Sequence, residues 1–143
     1  DPVNALLSLG YTLLTQNLMT ACEVVGLDPY DGFYHADKYG RPALALDLME
    51  EFRGIVVDSV AQKVVNRRII GPNDFLPSNE GVYLTSRALR IFLRQYSQRL
   101  NTEVAHPYAG RKLSYQKVFE VQARLLAKTI QKELDNYSPF LVK

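Results

Sequence analysis

The chain has 143 residues, 47% hydrophobic and 22% charged, with 17 Lys and Arg against 15 Asp and Glu for a net charge of +2. These values exclude an intrinsically disordered chain and a strongly basic tail, and they suit one globular domain with a sizeable core. The single cysteine, Cys22, excludes an internal disulfide and a thiolate zinc site, and no run approaches the ~18 apolar residues of a membrane span, so a cytoplasmic, membrane-free protein is expected.

The chain enters a helical pattern at once, with no initiator Met and no basic region of a secretory signal, so we expect a piece of a longer protein. Leu6, Leu7, Leu14, Leu18, Ala21 and Val25 recur at three-to-four spacing and predict a helix over 4–25, stopped by Gly26 and Pro29. Cys22 falls on its apolar side, as a buried core thiol would. Residues 28–32 read as a turn and 33–41 as a loop rich in aromatic and ionisable side chains.

Pro42 suits the first position of a second helix carrying Leu44, Leu48, Met49 and Phe52, which Gly54 is expected to interrupt. A helical pattern resumes over 55–66 through Val56, Val60, Val64 and Val65. Breaker clusters at 71–74 and 77–81 flank Phe75-Leu76 and precede Val82-Tyr83-Leu84, which can pair as a tiny hairpin. A further helix is expected over 86–100, capped by Thr85 or Ser86. Residues 101–112 read as a loop. Ser114 is expected to cap a final helix reaching about Tyr137, and Pro139 prevents its continuation. The sum is an all-α bundle, with one small β-hairpin allowed.

Two constellations carry chemistry. Asp47 lies three residues before Glu50 and four before Glu51, so a helix puts these acids on one side. Clustered carboxylates repel one another, and a divalent cation such as Mn²⁺ or Mg²⁺ would turn that cost into affinity. His35, twelve residues before Asp47, could add an imidazole ligand. The same spacing also fits an ordinary solvated helix face, and His35 alone fits a hydrogen-bonded loop residue. His106 has no acidic neighbours and is the weaker ligand candidate. The second constellation is basic: Arg87, Arg90 and Arg94 share a helix face, and Arg67-Arg68 and Arg111-Lys112 flank loops. Arginine forks match phosphate oxygens, although charged helix faces are commonly only solvated.

Several motifs together go further. Asn4-Ala5-Leu6-Leu7-Ser8-Leu9-Gly10-Tyr11 is followed by Gly26-Leu27-Asp28-Pro29 and Gly32-Phe33-Tyr34-His35. Then come the run from Pro42 to Arg53, Asn66-Arg67-Arg68, Leu100-Asn101 and Ser114-Tyr115. In this order, across nearly the whole chain, they resemble the CRISPR adaptation integrase, the first of the CRISPR-associated protein families.

That resemblance implies a C-terminal helical catalytic domain that normally follows a β-rich N-terminal domain. It implies a homodimer, a small ferredoxin-like partner protein, and DNA substrates: a prespacer and the leader-repeat junction of a CRISPR array. The implied reaction is attack of a DNA 3′-hydroxyl on a phosphodiester, with metal-dependent nuclease activity besides. His35 and Glu50 match metal ligands of the family, Asp47 matches an added acid, and Arg53 matches a basic residue facing DNA phosphates. The family's remaining ligand is a Glu upstream of the first helix. Glu23 does not match its motif, so weak or absent metal-dependent activity is expected of these residues alone. Gly54 stands where relatives often have Pro. The rival expectation is a non-catalytic helical module that binds DNA or protein, and a fused neighbour such as a reverse transcriptase is a third.

Overall fold

A computed structural model describes residues 1–27 and 43–141. Helix α1 (Pro2–Val24) begins at Asp1, whose side chain accepts from the Val3 N–H at 3.0 Å, with Pro2 in the first turn. Leu6, Gly10, Leu14, Leu18, Ala21 and Cys22 form its buried face. The helix ends in a Schellman turn, in which Leu27 N–H reaches Cys22 O at 2.8 Å and Gly26 N–H reaches Glu23 O at 3.0 Å. Gly26 takes the left-handed conformation there, with φ of 86°, so it ends the helix where expected.

Helix α2 (Ala43–Phe52) leads without a break into a π-helical segment (Arg53–Asp58) and then α3 (Ser59–Asn66). Gly54 therefore does not interrupt the helix. It lies exposed inside the π segment, with open space where a Cβ would be. A 3₁₀ turn (Pro72–Asp74) precedes β1 (Phe75–Ser78) and β2 (Gly81–Leu84), the antiparallel hairpin allowed from sequence. Helix α4 (Ser86–Leu100) is capped by Thr85, whose hydroxyl accepts from Ala88 N–H at 3.1 Å.

The segment read as a loop after α4 contains a second hairpin, β3 (Glu103–His106) and β4 (Arg111–Ser114). The all-α expectation is therefore corrected to a mostly helical fold with two small antiparallel hairpins. Ser114 caps α5 (Tyr115–Ile130) as expected. The helix stops at Ile130 rather than near Tyr137, because Lys132 turns left-handed with φ of 64° and Glu133 N–H closes onto Lys128 O at 2.8 Å.

Helix α1 lies at the centre, packed by α2, α5, the π segment and α3. Its Gly10 permits a close approach of the π segment: a Cβ there would lie 2.4 Å from Val57 Cγ1. Phe52 joins the helices to the C-terminal tail, edge-on to Phe119 at 4.8 Å and stacked with Phe140 at 5.7 Å between ring centres.

Candidate functional site

The acids stand on α2, whose Ala, Leu, Met and Glu residues favour helix. Leu44, Ala45, Leu48 and Phe52 are buried. That leaves Asp47 half-buried and Glu50 outward, its side chain 67% exposed. Glu50 Oε1 lies 3.4 Å from Arg53 Nη1. The Arg53 guanidinium sits over the Tyr11 ring, 4.6 Å from its centre, and the Tyr11 hydroxyl donates to Asp58 Oδ1 at 2.6 Å. That hydrogen bond is the chief reason the Tyr11 phenol is pushed above its ordinary range, with burial adding to it.

Glu51 is not a third member of this outward group. Its carboxylate accepts from Gln122 Nε2 at 2.9 Å, the Tyr137 hydroxyl at 2.6 Å and the Phe140 N–H at 2.7 Å. Burial pushes its carboxyl above the usual glutamate range, although the three donors pull the other way. Gln122 Oε1 lies 2.8 Å from His106 Nε2. His106 Nδ1 accepts from the Tyr108 and Ala109 N–H groups at 3.1 and 3.2 Å, so Nε2 carries the proton and donates to Gln122. His106 is thus a buried structural residue. Through Gln122 it ties the second hairpin to Glu51 on α2, the helix that carries Glu50, and Glu51 in turn holds the tail.

The sequence reading did not find this network, although it left a trace. Gln122 interrupts the buried face of α5 formed by Val118, Phe119, Ala123 and Leu126. A polar side chain at a core position asks for buried partners.

The remaining candidates divide. His35 lies outside the described residues. Arg67 and Arg68 are exposed at the end of α3, on the order of 20 Å from Arg53 along the helical path. Arg90 and Arg94 are exposed on α4, a different helix from the acids. Arg87 shares that stripe, but its Nη1 bonds Asp74 Oδ2 at 2.7 Å. Asp74 also accepts from Gly71 N–H at 2.9 Å and the Thr85 hydroxyl at 3.1 Å. The Gly71 N–H is the main group holding the Asp74 carboxyl below its ordinary range, with Arg87 and Thr85 adding to it. Arg87 therefore has a structural task in joining α4 to the turn before β1.

Among the described residues, no group of three or more His, Cys, Asp or Glu side chains could hold a metal ion. Asp47 and Glu50 do offer the hard oxygen donors that Mg²⁺ and Mn²⁺ take, so they suit such an ion in kind. Among the described residues, no helix is long and apolar enough to cross a membrane.

The family model "CRISPR associated protein Cas1" matches residues 1–98. CRISPR-associated endonuclease Cas1 3 of Thermus thermophilus is 46% identical over all of this chain, which spans 43% of that protein. A casposase bound to integration product aligns with 99% of this chain and 42% of its own, at a TM-score of 0.85 and 26% identity. A partial Cas6-RT-Cas1–Cas2 complex aligns with 100% of this chain and 43% of its own, at a TM-score of 0.82 and 25% identity. The ordered motifs, the helical fold and these matches agree, and the chain belongs to the Cas1 family of CRISPR-associated proteins.

Proposed function

We propose that this chain is the helical, acid-bearing part of a DNA integrase and endonuclease that inserts prespacer DNA into a CRISPR array. The observation that carries the reading is the placement of Asp47, Glu50 and Arg53 at successive three-residue steps where α2 meets the π segment, with Glu50 facing outward beside Arg53. The T. thermophilus relative, named an endonuclease, and the casposase bound to integration product support it.

In this reading Glu50 and Asp47, with His35, hold Mn²⁺ or Mg²⁺, and a further carboxylate comes from elsewhere in the protein. The bound cation would supply polarisation of a phosphate oxygen and stabilisation of charge on the attacking or leaving oxygen. Arg53 takes a non-bridging phosphate oxygen and holds the scissile group in place. A DNA 3′-hydroxyl oxygen attacks phosphorus and loses its proton. The O–P bond to the leaving strand breaks, and that oxygen gains a proton. Arg67, Arg68, Arg90 and Arg94 bind DNA phosphates away from the reacting one, with Arg87 beside them. A second copy of the protein and a small ferredoxin-like protein complete the assembly, and a β-rich domain precedes this one.

The test uses the longer protein that carries this chain, with His35→Ala and Glu50→Ala variants. Both should lose prespacer integration while still binding DNA. Integration at the unaltered rate by either variant would overturn the assignment.

A second reading, a helical DNA-binding module without catalysis, draws on α4, which has four arginines and no acidic residue. It requires DNA binding with steep salt dependence and no Mn²⁺ binding that depends on Glu50.

A further inference from the structure

We infer that Tyr11 is a positioning residue that holds the Arg53 guanidinium ready for a DNA phosphate, and that the π segment exists at this point to make the arrangement possible. This inference rests on the proposed phosphate-binding role of Arg53.

Arg53 and Asp58 are the first and last residues of the π segment, five positions apart. On an α-helix, five residues place two side chains about 140° apart around the axis. In a π-helix the hydrogen-bond partner of residue i is i+5, so such residues lie roughly one turn apart on the same side. The Ser59 N–H closes onto Gly54 O in that pattern. The wide turn therefore brings a cation and an anion to one side of the helix, where Tyr11 of α1 reaches both.

Tyr11 uses both of its chemical ends. The hydroxyl donates to Asp58 Oδ1 at 2.6 Å, a charge-assisted hydrogen bond that fixes the ring. The ring face carries the guanidinium at 4.6 Å, where cation–π attraction operates. A ring occupies the flat face of a guanidinium, whereas phosphate is bound at its edge, where the N–H donors lie. Arg53 keeps 44% of its side chain exposed. The Tyr11 hydroxyl also interacts with the guanidinium, but it engages only part of the five N–H donors and leaves the rest of the exposed edge for DNA.

Glu50 is a different kind of partner. Its contact with Arg53 is long, at 3.4 Å, and largely exposed. A carboxylate also competes directly with phosphate for the same N–H groups. When Glu50 is engaged elsewhere, Tyr11 remains to keep Arg53 in place. An arginine held in one orientation loses less side-chain freedom when phosphate arrives, so affinity rises without a new contact.

The experiment measures binding of the carrying protein to a fluorescein-labelled DNA duplex with 3′ overhangs, by anisotropy, in EDTA. Absence of metal separates binding from chemistry. Arg53→Ala should weaken binding and lower the salt dependence by about one phosphate contact. Tyr11→Leu should weaken it by about 3- to 10-fold, the range expected when a cation–π hold is lost. In the Arg53→Ala background, Tyr11→Leu should add nothing beyond twofold, because the two residues act as one unit.

Wild-type affinity for Tyr11→Leu, beside a weakened Arg53→Ala, overturns the inference. So does a Tyr11→Leu loss that persists without Arg53. An Arg53→Ala variant that binds like wild type overturns the phosphate-binding reading itself. Tyr11→Phe and Asp58→Asn serve if Tyr11→Leu does not fold, since each keeps the ring and weakens only its anchor. Each should cost about two- to threefold, and together no more than either alone. Wild-type affinity for both, or additive losses, overturns the inference.

Discussion

Replacing Gly10 with Ala would place a new Cβ 2.4 Å from Val57 Cγ1 and 3.3 Å from Phe92 Cζ. The first distance is about 1 Å short of an ordinary carbon–carbon contact. Val57 is fully buried in the π segment and β-branched, so it has little freedom to turn away. Phe92, also fully buried, crowds the same position. Overpacking of this kind costs about 1–3 kcal/mol, while Ala in a helix returns about 1 kcal/mol relative to Gly. The expected net loss is about 0–2 kcal/mol. Val57→Ala alone should cost about 2 kcal/mol through lost burial and a cavity. Combined with Gly10→Ala it should leave room for the new methyl, so the pair should cost about 1–2 kcal/mol less than the two single losses added. Urea unfolding followed by far-ultraviolet circular dichroism measures all three variants. A stabilised Gly10→Ala variant, or strictly additive losses, would refute the idea that α1 and the π segment touch through Gly10.

Two further expectations concern buried titratable groups. Because burial raises the Glu51 carboxyl, the native state prefers it protonated, and this contribution to stability is fully present below the ordinary glutamate range. It is lost as pH rises through the raised value, so Glu51→Gln should flatten that part of the profile. Comparison of urea midpoints for wild type and variant between about pH 4 and 8 checks this, and a constant difference contradicts it. The Cys22 thiol is fully buried and pushed up to about 12, first by burial and then by the charge of Glu23. It should resist a thiol reagent at neutral pH and react fully once urea unfolds the chain; rapid labelling of native protein would count against the packing of α1.

Local signals made much of the fold legible. The apolar spacing of α1, the Gly26 stop, the Thr85 and Ser114 caps and the first hairpin all come from short-range chemistry. The end of the helical pattern at Asn66 also held, although Arg68, with φ of 56°, and not a glycine closes the Schellman turn there. The end of α5 escaped because Lys132, with φ of 64°, does the same work where glycine is the usual signal. The second hairpin escaped because its strands, Glu103–His106 and Arg111–Ser114, hold only one β-branched residue between them and are bounded by residues that also suit a loop.

At the site, spacing placed Asp47 and Glu50 on α2 but could not separate Glu51 from them. Partners from α5 and the tail, 71 and 86 positions away, decide that side chain's role. Tyr11 and Asp58 were invisible for the same reason, since their bond joins residues 47 apart across a turn that sequence periodicity does not mark.

The π segment also bears on how related chains can differ in length. It holds one residue more than the α turn it replaces. A relative shorter by one residue between positions 53 and 58 could run a plain α-helix through this point, with the faces of α2 and α3 still turned to the core. Such a chain would align with a single gap and the same fold. Its counterparts of Arg53 and Asp58 would no longer share one side, so a deletion neutral for folding would be selected against where the pairing matters.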